Sequence, residues 1–102
     1  MLTVVFHSEQ GKCTGFDAAG HAKYAPPGED IVCAAVSALT LGTILALDRL
    51  TGTEIIQEQG NGKLVCCIRN PDDKTQLLLA SLELSLSELQ TEYGNYIEVC
   101  HG

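Results

Sequence analysis

Tryptophan is absent from these 102 residues, and aromatic side chains make up only 5% of them. Leu, Ile, Val and Ala must therefore fill most of any core. Basic residues are also few: six Lys and Arg stand against 13 Asp and Glu, for a formal charge of −7. Such a surface repels a phosphate backbone and argues against direct nucleic-acid binding. It favours a basic partner or substrate instead.

No C-x-x-C pair occurs among the five cysteines, Cys13, Cys33, Cys66, Cys67 and Cys100. That argues against structural zinc and thioredoxin-like chemistry. The odd count leaves no framework that pairs them all, and reduced cytoplasmic thiols are the plain reading. A membrane span is not expected either. The longest apolar stretch, Ile31 to Leu47, is interrupted by Ser37, Thr40 and Thr43 and is rich in small residues. Met1 to Gln10 has no charged n-region, long apolar run or cleavage site, so a cytoplasmic location is expected. Repeats, linkers and low-complexity stretches are missing as well. One domain over residues 1–102 is expected, large enough to bury a real core.

The pattern that is present alternates strand and helix signals. Leu2 to Ser8 is rich in β-formers, Glu9-Gln10-Gly11-Lys12 reads as a turn, and Cys13 to Ala18 returns as a second strand. Gly20 to Glu29 carries Pro26-Pro27 and is an irregular loop. Asp30 is a good N-cap for a helix over Ile31 to Leu50, which Thr51-Gly52 ends. That helix is apolar on nearly every side, which predicts a centrally buried element. Thr53 to Glu58 and Lys63 to Arg69 read as strands joined at Gly60-Asn61-Gly62. After the turn Asn70 to Asp73, Leu78, Leu82, Leu86, Leu89 and Tyr93 share one face of a second helix. Gly94-Asn95 stops it, and Tyr96 to Cys100 is a short closing strand. The order ββαββαβ predicts an α+β domain, with a mostly antiparallel sheet and both helices packed on it. Leu77 and Leu84 lie on the far side of the second helix. They mark a dimer contact, a sandwiched helix, or simply exposed leucines.

Two residues carry chemistry. Cys33 falls in the first turn of a helix, where free N–H groups and the positive dipole end favour a thiolate, the nucleophile of acyl transfer. The same N–H groups can donate to an oxyanion. His21, at the end of the second strand, can take the thiol proton and return one to the leaving amine. The Ala22–Glu29 loop between them is long enough to bring imidazole and sulfur together and to act as a lid, with Gly20 and Gly28 as hinges. Plainer readings stand beside these. Cys33 can be a small core residue and His21 a loop residue. Asp30 is first an N-cap, with orientation of His21 as its other role. Ser37 shares the helix face of Cys33 and either reaches into the site or bonds back to the Cys33 carbonyl. Tyr24 is lid packing or a substrate contact.

The segment Gly20 to Leu39 reads G-H-A-K-Y-A-P-P-G-E-D-I-V-C-A-A-V-S-A-L. It resembles the ribosomal-processing cysteine proteases, the Prp family. The G-H-A triplet, the loop with Tyr24-Ala25 and Gly28, and D-I-V-C-A-A-V-S-A-L carry the resemblance. It implies an endopeptidase that removes the N-terminal extension of large-subunit ribosomal protein twenty-seven, with aromatic residues before the cut. It further implies a dyad of His21 and Cys33, a loop that moves when substrate enters, a homodimer, and neither metal nor organic cofactor. Two rival functions remain from the residues alone. One is a non-catalytic ribosome-associated binding module. The other is a thiol redox sensor, which needs a resolving cysteine.

Overall fold

The computed structural model describes residues 1–22, 24–26 and 30–102. Five strands and two helices follow the expected order: β1 (Leu2–Glu9), β2 (Lys12–Gly20), α1 (Ile31–Ala46), β3 (Ile55–Gly60), β4 (Lys63–Ile68), α2 (Asp73–Tyr93) and β5 (Ile97–His101). A π turn over Leu47–Thr51 extends α1, and Gly52 closes it in the left-handed conformation.

The strands lie side by side as β3-β4-β2-β1-β5. β1 runs antiparallel to β2, β2 to β4, and β3 to β4. Only β5 is parallel to its neighbour, β1. The sequence of turns explains this mixture. Two-residue turns join β1 to β2 and β3 to β4, which forces antiparallel pairing. The helical connections instead lead to strands of the same direction as the one before, β2 to β3 and β4 to β5. The first passes over one strand of the sheet and the second over two, and each carries its helix over one face.

That face is the core. Leu2, Val4 and Phe6 of β1 alternate inward, as do Leu64, Cys66 and Ile68 of β4. They meet Val32, Val36 and Ile44 of α1, Leu79, Leu82 and Leu86 of α2, and Leu47, Phe16 and Ile97. Phe6 and Phe16 are register partners with ring centroids 6.0 Å apart. Cys66 is fully buried. Burial first, then the neighbouring thiols of Cys67 and Cys13, pushes its own thiol up to about 11, so it stays protonated at neutral pH. All five cysteines are free.

α1 corrects the expectation of a centrally buried helix. Only its Val32, Val36, Thr40, Ile44 stripe is buried, while Ile31, Leu41 and Leu45 of α1 and Leu50 of the π turn are exposed. The helix covers one side of a two-layer domain, and among the described residues nothing lies over its outer face. The segment Ile31–Thr51 also reaches a mean hydropathy of 2.0 and is long and apolar enough to cross a bilayer. Its threonines do not interrupt it as the sequence suggested. The Thr40, Thr43 and Thr51 hydroxyls donate to the carbonyls of Val36, Leu39 and Leu47 one turn back, which satisfies them within the helix. Its buried stripe nonetheless belongs to the core of this domain.

α2 matches its sequence pattern. Leu82 and Leu86 are buried, and Leu78, Leu89 and Tyr93 are partly buried against the core. Asp72 and Thr75 close a reciprocal capping box at its start. Leu77 and Leu84 are 71% and 67% exposed, so this helix is not sandwiched within one chain.

Candidate active site

β2 ends at Gly20, and the next residue is His21. Gly20 adopts φ +92, and a Cβ there would lie 2.5 Å from the Met1 carbonyl oxygen. The strand end thus has room only for glycine, and this fixes where the His21 backbone leaves the sheet. Cys33 is placed by the start of α1. His21 is exposed and Cys33 half-buried, and both line one cleft of about 290 Å³. Ser37, Thr40 and Leu41 of α1 form one wall. Gln59, Gly60, Gly62 and Lys63 of the β3–β4 hairpin form another.

The Ala22 N–H donates to Cys33 Sγ at 3.4 Å, and Ala22 itself is buried. The chain beside His21 is therefore packed against the thiol. No hydrogen bond joins the His21 ring to Sγ among the described residues. Catalytic contacts are often loose without substrate and tighten when it binds.

Asp30 caps α1 as expected. Its Oδ1 accepts from the N–H groups of Val32 and Cys33, both at 3.0 Å, and its Oδ2 accepts from the Tyr24 N–H at 3.1 Å. This corrects the expectation that those first-turn N–H groups stand free for an oxyanion, because Asp30 occupies them. Among the described residues no hydrogen bond joins Asp30 to His21; its carboxylate is held by those three backbone N–H groups and by the Cys33 thiol. Asp30 instead ties the loop at Tyr24 to the helix that carries Cys33.

Tyr24 lies away from the cleft lining. Its ring meets Tyr93 and Tyr96 edge-on, with centroids 5.7 and 5.1 Å away. Loop packing is thus the reading the structure supports for Tyr24. The sequence offered no signal for this cluster, because its members come from the loop, the end of α2 and the approach to β5. Ser37 is exposed and faces the cleft, and no bond from its hydroxyl back to Cys33 is found among the described residues. Gly28 lies outside the described residues. The hairpin wall of the cleft, Gln59 to Lys63, was read from sequence only as a strand and a turn. Among the described residues, no three His, Cys, Asp or Glu side chains converge as metal ligands would.

The Asp30 carboxyl lies below its ordinary value of 3.8. The Cys33 N–H is the main cause, desolvation opposes it, and the Tyr24 N–H, the Cys33 thiol and the Val32 N–H add to it. A carboxyl depressed on folding stabilises the native state above the unfolded value and loses that contribution as pH falls through the folded one. An Asp30→Asn protein keeps a capping side chain but not this titration. Thermal melts between about pH 2.5 and 6 should show a shallower acid-side loss of Tm than wild type. Parallel curves would show that Asp30 adds nothing to acid stability.

The profile of the cysteine protease Prp family matches residues 1–98. The ribosomal processing cysteine protease Prp of Staphylococcus aureus is 31% identical over 103 residues, 97% of each chain. Its counterpart in Bacillus subtilis is 30% identical over 91 residues, covering 82% of this chain and 81% of the relative. The crystal structure of the S. aureus protease with a covalently linked product peptide superposes with a TM-score of 0.95, at 29% identity over the whole of both chains. A second, with a substrate peptide, gives 0.83 at 31% identity, again over both whole chains. In sequence along nearly its full length, and in fold, the chain belongs to the Prp family of ribosomal processing cysteine proteases.

Proposed function

We propose that this chain removes the N-terminal extension of large-subunit ribosomal protein twenty-seven through a Cys33–His21 dyad. The observation that carries the mechanism is the shared cleft of His21 and Cys33, with the Ala22 N–H aimed at Sγ. The thiolate of Cys33 attacks the scissile carbonyl after His21 takes its proton. The Ala22 N–H stands beside the reacting centre and donates to the oxyanion as the carbonyl carbon becomes tetrahedral. His21 then returns its proton to the amine, which leaves as the shortened ribosomal protein. Water attacks the thioester, His21 accepts its proton, and Cys33 is released with the extension as a free acid.

The substrate assignment rests on the family and on charge. A chain of net charge −7 attracts a strongly basic ribosomal protein. Aromatic residues before the cut are part of the same proposal, as is a cytoplasmic location. Incubation of the purified protein with the ribosomal protein precursor, followed by mass spectrometry, tests it. One cut that releases the extension is expected. An intact precursor after prolonged incubation with folded, reduced protein would point to the binding-module function instead.

We also propose that the working form is a homodimer. Large apolar side chains stand exposed on both helices, among them Leu45 of α1 and Leu77 and Leu84 of α2. Sedimentation at micromolar concentration should give twice the chain mass. A monomer at that concentration would contradict the proposal.

A further inference from the structure

We infer that Gly62 is a positioning residue for His21, an inference that rests on the dyad reading above. Asn61 and Gly62 form the two-residue turn between β3 and β4, with φ 52 and φ 72. The turn between β1 and β2 has the same form, with Gln10 at φ 53 and Gly11 at φ 79. Both turns need glycine for its left-handed backbone. Their surroundings differ. A Cβ at Gly11 would meet nothing within 4 Å. A Cβ at Gly62 would lie 3.2 Å from His21 Nε2, 3.6 Å from Cε1 and 4.0 Å from Cδ2.

Those three atoms are the outer edge of the imidazole, so the ring stands at the margin of the space that a side chain at Gly62 would fill. The same residue also holds the backbone behind that ring. Its carbonyl accepts the Gly20 N–H at 3.0 Å, one residue beyond the last β2–β4 register pair, Ala19 and Lys63. Gly62 therefore acts on His21 twice. Its carbonyl anchors the residue before the histidine, and its missing side chain leaves the seat that the ring occupies. Among the described residues, a Cβ at this position meets the imidazole before any other group. A Cβ at 3.2 Å makes the ring give way by a few tenths of an ångström, and a general base must be held near the proton it takes.

Turnover should be measured for wild type, His21→Ala, Gly62→Ala, Gly62→Asn and Gly11→Ala on the extension peptide, across pH. Asparagine tolerates the left-handed backbone, so Gly62→Asn adds the Cβ with less strain than alanine. Gly11→Ala brings the same backbone strain with no imidazole nearby. Both Gly62 variants should lose at least about ten-fold in kcat, with KM changed by less than about two-fold. The pH limb assigned to His21 should move as well. Gly11→Ala should keep kcat within about two-fold of wild type. Folded Gly62 variants with wild-type kcat would overturn the inference, as would an equal loss in Gly11→Ala. Wild-type NMR reads the contact without any variant: a cross-relaxation peak between the His21 ring and the Gly62 α-protons is expected, and its absence would also overturn it. A His21→Ala protein as active as wild type would instead remove the dyad reading, while the NMR contact would still stand.

Discussion

Replacing Cys33 by alanine should leave no measurable turnover of the precursor, and His21→Ala should lower kcat by about 1,000-fold or more. The difference follows from the roles. Without sulfur there is no atom to form the thioester, so covalent catalysis ends. Without imidazole the sulfur remains beside the Ala22 N–H, and a slow reaction from the spontaneously ionised thiol persists at high pH. The residual His21→Ala rate should therefore climb with pH where the wild-type rate has levelled. Substrate KM should change little in His21→Ala, because the cleft walls from α1 and the β3–β4 hairpin remain. Steady-state kinetics on the extension peptide between about pH 6 and 9.5 would check both points.

The largest effect on stability is expected from Phe16→Ala. Phe16 is completely buried at the centre of β2, paired across the sheet with Phe6 and part of the core cluster to which both helices contribute. Removing a buried phenyl ring costs about 3–5 kcal/mol in transfer and cavity energy. Domains of this size have a total stability of about 5–15 kcal/mol, so the variant should melt roughly 12–25 °C lower. A change at an exposed helix position such as Ser81→Ala should stay within about 0.5 kcal/mol. Urea unfolding gives both values. A loss below about 1 kcal/mol in Phe16→Ala would mean that the core around β2 is packed differently.

Local signals in the sequence located the elements well. The glycine turns at Gly11 and Gly62, the cap Asp30, and the stop at Gly52 all act within a few residues of themselves, and all behave as expected. Features decided by distant parts of the chain were not legible. β5 joins the sheet parallel to β1 because α2 carries the chain across the core face, and nothing in Ile97 to His101 encodes that partner. α1 looked centrally buried because it is apolar all round, whereas only one stripe faces the sheet.

The site divides in the same way. His21 and Cys33 were visible as residue types at telling positions, one at a strand end and one in a first helical turn. Asp30 was legible as a cap, but its third partner, the Tyr24 N–H, was not. The capping geometry also removes Val32 and Cys33 N–H as free donors and turns attention to the Ala22 N–H. The packing of Tyr24 on Tyr93 and Tyr96, and of His21 on Gly62, depends on segments far apart in sequence.

The most direct test is to acylate the protein with a p-nitrophenyl ester of the extension peptide and weigh it. An activated leaving group makes attack fast and hydrolysis of the thioester limiting, so the covalent intermediate accumulates. One peptide-sized adduct per chain, mapped to Cys33, formed slowly in His21→Ala and absent in Cys33→Ala, is the expected result. An adduct on another cysteine, or p-nitrophenol release that is undiminished in Cys33→Ala, would contradict Cys33 as the nucleophile.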